Sequence, residues 1–214
     1  MPLQNRVTPF GELVRTPARG TMMGNRGGRI HDNRTQALSR RRWASRRWIV
    51  CVTEFRGRKR PVMQPNRYTE LFFLDEATAF AAGHRPCFEC RNRDAKAFAA
   101  AFFDGAEFDK SGADAMDAIL HKERCLSGAG PVALSREEAL SLPRGAMFAA
   151  GNDSITVGAD MLLLWHLGGY HRLPPGWLDA GRTGGDALRL LTPRSIVAAL
   201  RAGYRAQLHP SADA

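Results

Sequence analysis

Apolar and polar positions alternate or cluster in a readable order along the middle of the chain. Trp48-Ile49-Val50-Cys51-Val52-Thr53-Glu54-Phe55 is rich in β-branched and aromatic residues and predicts a strand. Arg56-Gly57-Arg58-Lys59 has turn composition, and Arg67–Leu74 (RYTELFFL) predicts a second strand, so the two are expected to form an antiparallel hairpin. Asp75 is a natural N-cap for a short helix, EATAFAAG, closed by Gly83. After a Cys-x-x-Cys pair, residues 91–104 predict a helix, because Ala97, Phe98, Ala101 and Phe102 recur at helical spacing. Met116, Ile119 and Leu120 mark another helix, and Ser135 with Glu138 forms a capping-box signature. From residue 146 the pattern changes to short strands, AMFAAG, SITVG, MLLLWHL and LRLL. Thr192 and Pro193 then open a last helix, PRSIVAALRAGY. The expected class is α+β. An antiparallel hairpin plus helices is followed by a helical segment and a small β-rich part with a final helix. The division expected is an Arg/Gly-rich arm (1–40), a unit around the cysteine pair (41–104) and an α+β remainder (105–214) that can pack with that unit as one domain.

Charge sharpens this picture. The net charge is +10. Residues 1–68 hold fifteen Arg and one Lys against Glu12, Asp32 and Glu54, so the whole excess is N-terminal. Arginine's planar fork suits phosphate, and a concentrated basic surface is the footprint of a nucleic-acid binder. Arg19, Arg26 and Arg29 lie among Gly20, Gly24, Gly27 and Gly28, an arrangement whose backbone amides can face an anion. Trp43 and Trp48 interleave with arginines, as in proteins that stack bases while holding phosphates. No apolar run approaches the length of a membrane-spanning helix, and the first residues lack the layout of a secretory signal. A cytoplasmic protein is therefore expected.

Four cysteines in such a chain point to metal, redox or buried thiols rather than a disulfide framework. The spacing of Cys87 and Cys90 suits two thiolates on Zn²⁺. A redox pair is disfavoured, because a helix rather than a strand precedes it. Cys51 is the expected third ligand, with Cys125, His121, His31 or His84 as a possible fourth. A separate group, His166 and His171 with Asp160 and Tyr170 near a Gly-Gly bend, is a candidate acid–base set. Neither a G-x-S-x-G nor an H-E-x-x-H motif occurs.

Residues 72–91, FFLDEATAFAAGHRPCFECR, resemble the second half of the zinc-binding domain of the Ada DNA-repair protein family. The shared features are an aromatic strand end, an acidic cap, a helix ending in Ala-Ala-Gly, and Arg-Pro-Cys-x-x-Cys-Arg. The resemblance implies a hairpin-plus-helix module in which Cys87 and Cys90 bind Zn²⁺ beside a nucleic-acid backbone. The family's first pair, C-x-x-x-C, is missing, and only Cys51 stands upstream. Pro86-Cys87-x-x-Cys90 with Cys51 and Glu54 also resembles the zinc-deaminase signature. There, however, Cys51-Val-Thr-Glu54 carries one residue too many, and a strand would point Cys51 and Glu54 to opposite sides. The expected function is a zinc-containing nucleic-acid-binding protein in DNA repair or processing, DNA more than RNA. Arg56, Arg58, Lys59, Arg60, Arg85 and Arg91, with Trp43 and Trp48, would be the contacts. The alternatives are an enzyme with a structural metal and a catalytic pocket near residues 160–171, with His166, His171 or Glu54 as acid–base groups, and a metal-free partner-binding protein.

Overall fold

The computed structural model describes residues 1–58, 61–104, 112–125 and 132–179, together with 187–214. It is α+β, with two mixed or antiparallel sheets and five α-helices among the described residues. The first sheet comprises β1 (Gln4–Val7), β2 (Leu13–Arg15), β3 (Met22–Arg26), β4 (Trp48–Val52), β5 (Leu71–Phe73) and β6 (Arg85–Pro86), in the order β2-β1-β5-β3-β4-β6. The second comprises β7 (Ala133–Leu134), β8 (Met147–Ala150), β9 (Asp153–Val157), β10 (Leu162–His166), β11 (Gly169–Arg172) and β12 (Leu188–Leu190), in the order β11-β10-β9-β8-β12-β7. None of the described helices is long and apolar enough to cross a membrane.

The expected hairpin does not form. β3 runs between β4 and β5 and pairs antiparallel with both. Residues 1–40, expected as an arm, thus provide three strands of the first sheet. Their segments are short, interrupted by Pro and Gly, and almost free of aromatic residues, so local pattern does not betray them. Gly24 is what admits β3 to this place. A Cβ there would lie 2.1 Å from the Ile49 carbonyl oxygen and 3.0 Å from the Phe73 ring.

Helix α1 (Glu76–Ala81) is buried along its whole length between the two sheets. Ala79 packs with Met22, Val50, Leu71 and Phe73 of the first sheet, while Ala77 and Ala81 meet Met147 of the second. Phe80 enters the main core with Phe98 and Phe102 of α2 (Asn92–Asp104), Met116 and Leu120 of α3 (Ala113–Cys125), and Ile196 and Leu200 of α5 (Arg194–Arg201). Alanines make this placement possible, since a helix layered between sheets must be thin on both faces. The capping box predicted at Ser135 forms on the short helix α4 (Arg136–Leu140). Pro193, not Thr192, is the N-cap of α5; the Thr192 hydroxyl instead accepts from the Met147 amide at 2.9 Å.

Two carboxylates are buried at the start of α1. Asp75 accepts from the Thr78 amide (2.9 Å) and hydroxyl (2.8 Å), as the predicted N-cap, and also from the Tyr170 hydroxyl (2.7 Å) and the His209 amide (3.0 Å). Glu76 pairs with Arg91 at 2.7 Å and accepts from the Tyr204 hydroxyl and the Gln207 amide, each at 2.9 Å. Burial raises both carboxyls above their ordinary range, and these donors and the Arg91 charge act against that rise. Removing one member of a buried ion pair strands the other. Glu76→Leu is therefore expected to lower the unfolding free energy by about 3–5 kcal/mol, and Glu76→Leu/Arg91→Met by less. Urea denaturation checks this; equal losses in the two variants would show that Arg91 is not stranded.

Candidate metal centre and basic cleft

The two faces of the first sheet differ in chemistry. Val50, Met22, Leu71 and Phe73 point toward α1. Their neighbours Cys51, Ile49, Met23, Asn25 and Phe72 point the other way, as strand alternation requires, and line a recess of about 220 Å³. Cys51 is thus presented on the outer face of β4. β6 runs parallel to β4, with Val50 opposite Pro86, and the Cys87 amide donates to the Val50 carbonyl at 2.9 Å. This pairing sets Cys87 beside Cys51. A tight turn, closed by the Arg91 amide on the Cys87 carbonyl at 3.0 Å, brings back Cys90 just before α2.

The three sulfurs lie within 4.8 Å of one another. Thiolates on a tetrahedral zinc at about 2.3 Å stand roughly 3.8 Å apart, so only a small contraction separates this group from a ligand set. Cys51 and Cys87 are buried, and Cys90 is partly exposed. The Cys51 and Cys90 thiols donate to Cys87, and the amides of Cys90 and Glu89 add to them, so the Cys87 thiol is pulled well below its ordinary value. Cys51 moves up, first because of its bond to Cys87. A metal ion bound here would replace the protons that these sulfurs share. The donor set fits a thiophilic metal ion.

The three histidines expected as a possible fourth ligand do not join this group. His31 is held by the Thr69 hydroxyl (2.7 Å) and the Gln64 carbonyl (3.3 Å). His84 belongs to the inner face, edge-on to Phe73 (4.7 Å) and tilted against Trp48 (5.1 Å), with Nδ1 on the Ala79 carbonyl. His121 stands edge-on to Trp43 at 5.6 Å. The Cys125 side chain lies outside the described residues, as do Lys59 and Arg60.

Two expected phosphate contacts are structural instead. Arg85 is buried in a bidentate pair with Asp117 (3.0 and 2.8 Å), and Arg91 is buried between Glu76 and Asp94. Both lie among carboxylates that needed a cation inside the fold, a demand invisible beside the cysteines in sequence. Arg56 and Arg58 are exposed around Phe55, and Arg58 pairs with Glu89 at 2.9 Å. Glu54 is exposed and does not line the cysteine recess. His166 and His171 are exposed on the β10–β11 hairpin, their rings 4.6 Å apart and edge to face. The Tyr170 hydroxyl is engaged with buried Asp75, away from them.

A cleft of about 820 Å³ that sequence patterns did not reveal lies between the sheets' edges. Buried Trp48 forms its floor, with the guanidinia of Arg26 (4.3 Å) and Arg124 (4.1 Å) over its indole and Nε1 donating to the Ser45 carbonyl. Trp43 and Phe10 are exposed at the rim, and Arg42, Arg189 and Arg194 complete the basic lining. Glu123 is its acidic member, and it is occupied by the Ser195 amide and hydroxyl (3.1 and 2.6 Å). Only the Trp43/Trp48 interleaving signalled this place; the other walls come from six separate segments.

Comparison with protein-family models, curated proteins and solved structures returned no significant match.

Native mass spectrometry of protein purified with zinc is expected to find one ion per chain, lost in Cys87→Ser and Cys51→Ser. A metal-free wild type would end the metal reading. Acid provides a second check. Burial, first, and then the charges of Arg26 and Arg124 hold His84 neutral, well below its ordinary 6.5. The unfolded chain protonates it near that value, so stability is present above pH 6.5 and falls below it. The slope it adds approaches about 1.4 kcal/mol per pH unit. Chemical denaturation between pH 7 and 5 should show a shallower dependence in His84→Phe; parallel curves would assign the acid sensitivity elsewhere.

Proposed function

We propose that this chain is a zinc-containing protein that binds nucleic acid, with unpaired bases and their phosphates held across the basic cleft. The observation that carries this reading is the convergence in one recess of five arginines and two tryptophans. Trp43, exposed at the rim 6.2 Å from the buried Trp48 ring, offers a face to a base, and Trp48 with the guanidinia over it fixes the basic floor behind. Arg42 and Arg194, both exposed at the mouth, supply forks for phosphate. Most arginines of residues 1–68 are exposed as well, so the surface leading to the cleft attracts a polyanion. In this reading the metal clamps β4, β6 and the start of α2, and through them the sheet that carries Trp48. The resemblance of residues 72–91 to the Ada zinc-binding domain supports such a role.

Fluorescence anisotropy with labelled single-stranded DNA and RNA oligonucleotides tests it. Binding is expected to weaken steeply with salt. The log–log slope should fall by about 0.7 for each phosphate contact removed in Arg42→Ala and Arg194→Ala. Trp43→Ala should cost about 1–3 kcal/mol of affinity without changing that slope. Absence of binding at low salt, or affinity indifferent to salt, would defeat the proposal.

A further inference from the structure

The metal reading of Cys51, Cys87 and Cys90 leads to a more specific one. We infer that an ion held by these three thiolates keeps its fourth coordination position open to the 220 Å³ recess, where it takes a neutral nitrogen heterocycle as an exchangeable ligand. Structural zinc sites close with four protein ligands, whereas sites that exchange ligands use three and leave one position open. Here three sulfurs converge, and the histidines closest in sequence are engaged elsewhere, His31 by Thr69 and Gln64 and His84 by Ala79, Phe73 and Trp48.

All three cysteines stand in the wall of the recess. Its volume equals about seven waters at liquid density, room for one heteroaromatic ring with small substituents. Phe55, Phe72 and Tyr68 provide flat walls for such a ring. Buried Asn25 and Glu70 also line the recess, their oxygens held by the Gly27 amide (2.9 Å) and the Met63 amide (2.7 Å). Charge selects against anions. Three thiolates on a dication leave a net −1, and Arg58 at the rim is already neutralised by Glu89. A neutral sp² nitrogen is a favoured donor for a borderline-soft ion and adds no charge. Entry is through the rim formed by exposed Thr53 and the exposed Arg58–Glu89 pair.

Cobalt substitution tests this, with imidazole as the probe and azide as the anionic control. The sulfur-to-cobalt charge-transfer intensity should count three thiolates and stay unchanged in Cys125→Ser. Imidazole should shift the visible d–d bands saturably and bind at least tenfold more tightly than azide. Thr53→Trp, an exposed position that narrows the mouth, should weaken imidazole at least tenfold while leaving the charge-transfer band intact. Four thiolates with one lost in Cys125→Ser would mean a closed site. Bands indifferent to imidazole, or azide binding more tightly, would also overturn the inference while leaving the metal reading standing. Failure of cobalt to produce any charge-transfer band would instead overturn the metal reading itself.

Discussion

The pair of carboxylates buried at the head of α1 is the constraint on which the rest depends. A helix enclosed between two sheets exposes none of its backbone ends to water, so its first amides and its acidic residues need partners inside the protein. Asp75 and Glu76 meet that demand by binding groups from three distant places: Tyr170 on β11, Arg91 at the start of α2, and the Tyr204–His209 segment. The same bonds that stabilise the helix therefore set the second sheet and the C-terminal segment in place. An apolar replacement would lose that specification even where it kept the packing.

The chain leaves α1 through Gly83, whose φ of +78° suits glycine and whose missing side chain leaves room for Arg124; a Cβ would lie 2.9 Å from the Arg124 Cδ. That turn directs His84 inward and delivers Arg85 and Pro86 to the edge of β4. One short segment then serves two faces of a sheet. His84 joins the apolar layer under Trp48 and Phe73, and Cys87 emerges on the outer face beside Cys51. The three-cysteine group and the basic cleft are joined through β4, which carries Trp48 at one end and Cys51 near the other.

Arginine plays opposite parts in the two halves of this arrangement. Arg85 and Arg91 are interior counter-ions with fixed bidentate or multiple partners. Arg26 is buried and Arg124 partly so; they cap the backbone carbonyls of Gly11 and Gly83 and lie over the Trp48 indole. Arg42 and Arg194 remain exposed at the cleft mouth. Composition counts these alike, yet only the last kind is available to a phosphate without breaking an internal pair.

Local sequence determined the parts whose cause is local. The Asp75 cap, the α2 and α3 periodicities, the Ser135 capping box, most strands of the second sheet and the Cys-x-x-Cys turn all depend on residues within a few positions of one another. Cys51 was expected beside Cys87 through a hairpin that does not form; the parallel pairing of β6 with β4 is what brings the two together. Tertiary structure alone decided that β3 separates β4 from β5, since strand order depends on which edge offers pairing partners and on the space Gly24 leaves. It also decided that Arg85 and Arg91 face inward, because their carboxylate partners are set by packing rather than by spacing. The basic cleft belongs to the same class: its walls are brought together by the core, and no stretch of chain contains them.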